Sequence, residues 1–297
     1  MSTLTGDDTP VFVIGYGYTG QRIASRWLEC GSRVRALVRR PIEVAEHAHP
    51  GLELLRGDLD ETRSLPLEAM GRTRLYYFAP PPKHGDMDTR LRRLADALPE
   101  PPARIVLIST TGVYGDCGGE WVDESRPPAP GTDRARRRLD AEQTLSAYAE
   151  ARDVPLVILR VAGIYGPGRL PEARLRARDP MPAAKDCGYT NRVHIDDLVE
   201  VCVRSMSRPE LSGVFNVSDG TPGTMREYFD AVADALGLDR LPVLPRRQMS
   251  ATLNARLMTY LGESRRIDNS RLLAALDLSL RHPDLTSGLS ALRSGPG

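Results

Sequence analysis

A short apolar segment that runs directly into a glycine-rich turn constrains the fold of this chain most. Val11–Ile14 is followed at once by Gly15–Gly20, which reads Gly-Tyr-Gly-Tyr-Thr-Gly, and then by an amphipathic stretch, Gly20–Cys30. Glycine-rich turns are common, but a strand before the turn and a helix and second strand after it predict a dinucleotide-binding unit. The alternative, a structural turn that holds no ligand, stays open.

Each glycine of this turn has an expected task. Gly15 permits the tight turn, Gly17 lets the backbone approach a pyrophosphate, and Gly20 lets the helix pack closely. The N-terminus of the helix offers N–H groups and the positive end of its dipole to the anion. The predicted cofactor-binding residues of the turn are Gly15, Tyr16, Gly17, Tyr18, Thr19 and Gly20.

Short apolar runs alternate with longer amphipathic stretches over the first two thirds of the chain. The runs are Val11–Ile14, Val34–Val38, Leu52–Leu55, Leu75–Phe78, Ile105–Ile108 and Leu156–Leu159, with a later one at Val214–Val217. Because they are continuous, they are typical of strands buried on both faces of a parallel sheet. With predicted helices at Asp88–Leu98 and Asp133–Ala151 between them, this order predicts an α/β fold, a Rossmann doubly wound parallel sheet.

After Gly220 the sequence predicts helices with irregular connections, including Met225–Leu236 and Arg271–Leu276. We therefore expect a smaller, mostly helical C-terminal substrate lobe beside the Rossmann domain. The predicted Rossmann domain comprises residues 1–166 and 189–220, and the predicted lobe comprises residues 167–188 and 221–297.

Charge and cysteine pattern exclude several classes of protein. The formal net charge is +1, so no overall field favours nucleic acid or an anionic membrane. The four cysteines are scattered without a Cys-x-x-Cys pair, which argues against a disulfide framework or zinc site. The first residues are polar and acidic, and no apolar run reaches the roughly 18 residues of a membrane span. We expect a cytoplasmic protein that binds a small-molecule substrate.

The end of the second predicted strand bears on the choice of cofactor. An NAD site usually carries Asp or Glu about 20 residues past the glycines, to bond the ribose 2′-hydroxyl. This chain has Arg39 and Arg40 there, and guanidinium groups suit the 2′-phosphate of NADP(H). Lysine occurs only at Lys83 and Lys185, so an arginine pair also has a compositional explanation. The sequence favours NADP(H) over NAD(H).

Further ordered segments resemble the extended short-chain dehydrogenase/reductases, the NAD-dependent epimerase/dehydratase superfamily, in an atypical form. The segments are Gly15–Gly20, Gly57–Leu59, Ile108–Gly115, Leu159–Arg160, Ile164–Gly168, Val193–Asp197 and Phe215–Val217, which together extend over nearly the whole chain.

The resemblance implies roles for several residues. Asp58 and Leu59 would flank the adenine, Ala79 and Pro80 would meet the ribose and phosphates, and Thr110 would bind the substrate oxygen. Asp58 has an alternative role as a turn residue. For Thr110 the alternative is a hydroxyl satisfied by backbone groups.

The chain departs from the family at its catalytic pair. Family members use Tyr-x-x-x-Lys, with the tyrosine as acid and base. Alignment on Glu142-Gln143 puts Arg134 and Arg138 at those positions. Arginine cannot exchange protons near pH 7, since its pKa exceeds about 12. Arg138 could still donate to the nicotinamide ribose and Arg134 could bind an anion; the alternative is a dead site with two solvated arginines.

Two other kinds of residue are candidates. Tyr114 and Tyr165 stand in loops after strands and could replace the missing acid, or they could simply pack. His194 before Asp196-Asp197 looks like a metal cluster, but the resemblance makes it a structural segment that leads into a helix, and we predict no metal.

These observations favour an NADP(H)-dependent oxidoreductase or epimerase-like enzyme that acts on a small, anionic or carbonyl substrate. The rivals are a non-catalytic NADP(H)-binding sensor and a nucleotide-sugar epimerase with a relocated acid, against which Arg134 argues. The resemblance also implies a homodimer formed by the helices at Asp88–Leu98 and Asp133–Ala151. Their apolar residues could instead be buried within one monomer: Leu91, Leu94, Leu98, Leu139, Leu145 and Tyr148.

Overall fold

A computed structural model describes residues 9–40, 49–245, 248 and 262–293 of the chain. Its strands are β1 (Val11–Ile14), β2 (Val34–Val38), β3 (Leu52–Arg56), β4 (Arg74–Tyr77), β5 (Arg104–Thr110), β6 (Trp121–Val122), β7 (Leu156–Val161), β8 (Gly163–Tyr165), β9 (Tyr189–Thr190), β10 (Arg192–His194), β11 (Gly213–Val217), β12 (Gly223–Thr224) and β13 (Arg266–Ile267). Its helices include α1 (Tyr18–Glu29), α2 (Thr89–Ala97), α3 (Asp133–Arg152), α4 (Glu172–Arg176), α5 (Ile195–Ser207), α6 (Met225–Leu236), α7 (Ser270–Leu276) and α8 (Leu285–Arg293).

A seven-stranded sheet in the order β11-β7-β5-β4-β1-β2-β3 forms the centre of the fold. β1 pairs in parallel with β2 on one side and with β4 on the other. The strand order therefore reverses beside β1, which is the switch point where open α/β sheets bind ligands at the carboxyl ends of their strands. The predicted Rossmann doubly wound parallel sheet is confirmed.

The burial of the strands explains their continuous apolar sequences. All four residues of β1 and all six of β7 are buried, as are the first six of β5. β3 lies at the edge of the sheet, and each of its residues keeps some exposure. Strands covered on both faces carry mostly apolar side chains along their whole length, which is why the runs do not alternate.

The chain divides into two compact units. The first comprises Met1–Val113, Thr132–Arg160 and Val199–Phe215, and the second comprises Tyr114–Gly131, Val161–Leu198 and Asn216–Gly297. The division into a Rossmann domain and a substrate lobe stays a prediction. Among the described residues, no helix combines the length and the apolarity needed to cross a membrane.

In the first unit, α2 and α3 bury most of the apolar side chains that the sequence offered for a dimer. Leu91, Leu94, Leu98, Leu145 and Tyr148 are each less than a tenth exposed and belong to the core that covers the sheet. Burial within the monomer therefore accounts for these residues. The homodimer stays a prediction.

In the second unit, α6 packs with α8 around a separate apolar cluster that contains Phe229, Val232 and Leu289. Thr224 and Glu227 form a capping box at the start of α6, and Gly237 ends the helix in the left-handed conformation. These local signals fix both ends of the helix at the predicted residues.

Candidate functional site

The glycine-rich turn between β1 and α1 lies against the end of β4. Gly15 has φ +102°, and a Cβ there would lie 2.5 Å from the backbone nitrogen of Ala79. A Cβ on Gly20 would lie 2.3 Å from the carbonyl oxygen of Gly15. Only glycine fits these two positions, because the opposing atoms belong to the backbone. The turn therefore brings Ala79 to the start of α1.

The N-terminus of α1 has the features of an anion site. The helix begins at Tyr18, its N-cap Gly17 makes no side-chain cap, and its first turn carries no acidic residue. Gly17 is exposed, and a Cβ there would meet no described atom within 4 Å. Tyr16 is half-buried, and burial raises the pKa of its phenol. The start of α1 therefore has the sequence and the exposure that suit a phosphate at a helix N-terminus.

The loop after β3 is shaped by Asp58. Its Oδ1 accepts the N–H of Asp60 at 3.0 Å, and its own N–H donates to Ser64 Oγ at 2.9 Å. Leu59 is buried beside it. Asp58 thus acts as a turn residue, the alternative that the sequence left open, while its family position beside an adenine is not tested by this contact.

An arginine of α2 joins this loop to the end of β4. Arg90 donates from Nε to Asp60 Oδ1 at 2.8 Å, pairs its Nη2 with Asp60 Oδ2, and donates from Nη1 to the Pro80 carbonyl at 3.1 Å. Arg93 donates to the Asp60 carbonyl at 3.0 Å. Arg90 was not among the predicted site residues, because no local sequence pattern indicates that a residue of α2 contacts two distant loops.

The guanidinium groups of several arginines place positive charge near Asp60. The hydrogen bond from Arg90 is the main cause that holds the pKa of Asp60 below its usual range, and the charges of Arg93 and Arg39 act in the same direction. Arg39 and Arg40 are exposed just beyond the end of β2. Arg39, Arg90 and Arg93 therefore all lower the pKa of the same carboxylate, Asp60.

The end of β5 packs on the first turn of α3. Thr110 is half-buried, and its Oγ1 accepts the N–H of Gly112 at 3.1 Å. A Cβ on Gly112 would lie 3.4 Å from Thr110 Oγ1 and 3.9 Å from the Cβ of Ala135. Thr110 therefore lies close to the helical turn that carries Arg134.

Arg138 reaches from α3 to the segment just after the carboxyl end of β4. Its Nη1 donates to the Ala79 carbonyl at 3.2 Å. Burial is the main cause that lowers the pKa of Arg138, and the nearby charge of Arg134 adds to it. Arg134 itself is exposed. The structure therefore brings Arg138 and Ala79 together and leaves the Arg134 side chain open to solvent.

A buried ion pair fixes α3 on the sheet. Arg160 of β7 donates from Nη2 to Glu142 Oε2 at 2.7 Å, and both side chains are almost fully buried. Ser109 of β5 donates its hydroxyl to the other carboxylate oxygen of Glu142. Glu142 lies one helical turn after Arg138, so this network sets the rotation of the helix that presents the two arginines.

The two tyrosines that could replace the missing acid are both engaged within the second unit. Tyr114 is buried, and its hydroxyl donates to Asn216 Oδ1 at 2.8 Å. Tyr165 is buried too, and its hydroxyl donates to the Asp284 carbonyl at 3.3 Å. These contacts fit the packing roles that the sequence left open. His194 stands directly before α5, as the resemblance implied.

Comparisons with known proteins agree with this fold. Residues 87–218 match the NAD dependent epimerase/dehydratase family. Protein YeeZ of Escherichia coli strain K12 is 28% identical over 181 residues, which are 61% of this chain and 59% of YeeZ. The aligned part of the chain thus spans less than two thirds of that curated relative.

Two solved structures extend the comparison to almost the whole chain. A functionally unknown conserved protein from Silicibacter pomeroyi DSS superposes with a TM-score of 0.80 at 28% identity, over 96% of this chain and 98% of that one. MoeE5 in complex with UDP-glucose and NAD has the same fold, with a TM-score of 0.76 at 23% identity over 96% and 97% of the two chains.

These findings agree with the resemblance that the sequence predicted. Residues 87–218 match the model of the NAD dependent epimerase/dehydratase family, and the chain is similar to YeeZ on a Rossmann fold.

Proposed function

We propose that this protein binds NADP(H) and is an oxidoreductase or epimerase-like enzyme for a small, anionic or carbonyl substrate, without the Tyr-x-x-x-Lys pair of its family. One observation carries the proposal. The guanidinium group of Arg138, at the position of the family lysine, donates to the Ala79 carbonyl next to the glycine-rich turn. On this proposal, the end of the sheet that binds the cofactor is retained, while the helix that carries the catalytic pair in the family has arginine at both positions.

The charge around Asp60 supports NADP(H) over NAD(H). Arg39, Arg90 and Arg93 all act on Asp60, at the end of the sheet where the adenosine ribose would lie. A 2′-phosphate there would accept charge-assisted hydrogen bonds from guanidinium groups, worth about 1.5–3 kcal/mol each. MoeE5, which shares the fold, is in complex with NAD, which supports a nicotinamide dinucleotide as the ligand class.

The residues near the nicotinamide end support hydride chemistry on a polarised oxygen. The bound cofactor would supply or accept the hydride. Because Thr110 Oγ1 accepts the Gly112 N–H, it retains its own proton to donate to a substrate oxygen. Arg138 would hold the nicotinamide ribose, and the exposed Arg134 would bind a carboxylate or phosphate of the substrate.

A non-catalytic NADP(H)-binding sensor is the second candidate. The observation that favours it is the engagement of Tyr114 and Tyr165, whose hydroxyls both donate to groups of the protein itself. With arginine at the family's tyrosine position, neither of these side chains offers a ready replacement acid. Such a protein would change its partner binding with cofactor and leave carbonyl compounds unreacted.

The cofactor proposal is tested by thermal denaturation with NADP(H) and NAD(H) at equal concentrations. A ligand at 100 times its Kd stabilises the folded state by about 2.7 kcal/mol, so NADP(H) should raise the melting temperature more. The Arg39→Ala/Arg40→Ala variant should lose this difference. Arg35→Ala is the matched control, because Arg35 lies on β2, shortly before Arg39 and Arg40, and pairs with Glu53. A preference for NAD(H), or one that survives the double substitution, contradicts the proposal.

Enzyme and sensor are separated by two parallel assays. NADPH oxidation against a library of carbonyl compounds should give turnover for an enzyme. For a sensor, affinity capture of partners with and without cofactor should differ while every carbonyl stays unreduced.

A further inference from the structure

Two histidines and one aspartate from distant parts of the chain meet in the second unit. His194 ends β10, Asp196 lies in the first turn of α5, and His282 lies shortly before α8. The sequence displayed only the first two, because nothing in the pattern around His282 links it to them. The atoms that each residue offers as a ligand all lie within 4.8 Å of one another.

The geometry of the cluster is close to that of a metal site. Asp196 Oδ2 lies 3.6 Å from His194 Nδ1 and 3.9 Å from His282 Nε2. In a tetrahedral zinc site with bonds of about 2.0–2.1 Å, neighbouring ligand atoms are about 3.3 Å apart. Side-chain rotations that shorten these two distances by about half an ångström, and that draw the two histidine ligand atoms together from a separation of at most 4.8 Å, would bring the three atoms into coordinating distance.

A second carboxylate, that of Asp197, holds the cluster in place and is not itself one of its three potential ligands. Asp197 accepts the N–H groups of Arg281 at 2.7 Å and His282 at 2.9 Å, one on each oxygen. This clamp fixes the backbone of His282 against the start of α5 and brings its ring to 4.0 Å from the ring of His194. Asp196 remains with its side chain 48% exposed, which gives an ion a path from solvent.

The buried imidazole of His194 is not committed to other strong contacts. Its Nδ1 accepts only a long hydrogen bond of 3.3 Å from the Asp196 N–H, and its Nε2, fully enclosed, has no hydrogen-bond partner among the described residues. A bond of this length is weak. The lone pair of Nδ1, the atom that faces Asp196, is therefore available to coordinate an ion in its place.

We propose that His194, Asp196 and His282 bind one divalent transition-metal ion, with Zn²⁺ as the natural occupant. Two imidazoles and a carboxylate are a donor set that zinc and neighbouring first-row metals accept, with the remaining position open to water. The negative charges of Asp196 and Asp197 offset the positive end of the α5 dipole. The ion would join the start of α5 to the segment before α8, so its role is to clamp the second unit.

The test uses the full chain with any affinity tag removed. Calorimetric titration with Zn²⁺ should give one ion per chain, and Zn²⁺ should raise the melting temperature. Loss of an outer-shell partner weakens metal binding about 10–100-fold, so Asp196→Asn and His282→Gln, which remove ligands, should weaken it by at least that. His84→Gln is the matched control, because His84 is exposed and lies outside the cluster.

Co²⁺ provides a spectroscopic test of the donor set. Its spectrum should show nitrogen and oxygen ligation and no thiolate charge-transfer band, which separates the cluster from the exposed thiol of Cys30. Unchanged stabilisation by NADP(H) in the variants shows that they are folded. If His282→Gln does not fold, Asp196→Asn decides, since its side chain is half-exposed. No bound ion, or binding that Asp196→Asn leaves intact, overturns the proposal.

Discussion

The glycine-rich turn and the arginine-bearing face of α3 show two ways in which a sequence fixes a site. At the turn, backbone atoms leave no room for a side chain on Gly15 or Gly20, so the residue type follows from the geometry. On α3, Arg134 and Arg138 are proposed to stand at the positions of the family's Tyr-x-x-x-Lys pair, with its spacing and a different chemistry. On this proposal, the backbone frame of a family transfers to a new sequence more safely than the chemistry of its side chains.

The largest expected effect concerns the anchor of α3. Glu142→Ala should lower the free energy of unfolding by about 3–5 kcal/mol, because it leaves the buried charge of Arg160 without a partner. Urea denaturation measures the change. Glu150→Ala, the same substitution at an exposed position of the same helix, should change stability by less than about 0.5 kcal/mol. Equal effects of the two variants would show that α3 is not held by this pair.

Substitutions in the glycine-rich turn should change both the stability of the protein and its affinity for the cofactor. Gly20→Ala should destabilise the protein by about 1–3 kcal/mol, the usual effect of overpacking, because the new methyl meets the Gly15 carbonyl at 2.3 Å. It should also abolish NADPH binding, measured by fluorescence titration. Gly17→Ala separates the two properties, because a Cβ there meets no described atom of the protein. It should weaken cofactor binding and leave urea stability nearly unchanged; a Gly20→Ala variant that folds and binds normally would falsify the steric account.

The comparison also explains which parts of the fold the sequence could predict. The bounds of β1, β2 and α6 are those predicted, since continuous burial and caps leave local signals. α1 begins at Tyr18, before its predicted start, because Gly17 serves as the N-cap and the last turn residues are already helical. β8 and α4 were not predicted, because three and five residues are too few to show a period.

The residues of the site can also be divided into those that the sequence could predict and those that it could not. The place of the glycine-rich turn between β1 and α1 could be predicted, because its motif lies within one stretch of the chain. The cofactor roles of Ala79 and Arg138 stay predictions. Arg90 and His282 could not be predicted, because their partners Asp60 and Asp196 are brought to them only by the folded structure. Contacts between side chains of distant segments leave no trace in a single sequence.

The sharpest test of the α3 chemistry comes from introducing the family's Tyr and Lys at positions 134 and 138. The double variant Arg134→Tyr with Arg138→Lys loses the hydrogen bond from Arg138 to the Ala79 carbonyl, which is worth about 1.5–3 kcal/mol. Beyond this loss, the free energy of unfolding should change by less than about 1 kcal/mol. Arg134 is exposed and contributes little to the fold. Arg134→Tyr alone is the control, since it should leave stability almost unchanged.

The pH profile of this double variant decides whether the helix faces the reacting atoms. Arginine stays charged to about pH 12, so the natural protein should show no ionisation of a tyrosine-like acid at this position in its rate profile. In the double variant a phenol beside an ammonium group should introduce a new ionisation, because the neighbouring positive charge lowers the pKa of a tyrosine. Arg134→Lys should keep the natural profile and weaken substrate binding through the lost bidentate geometry. A double variant whose turnover and profile match the natural protein would place the reaction away from this face of α3, and the proposed roles of both arginines would be wrong.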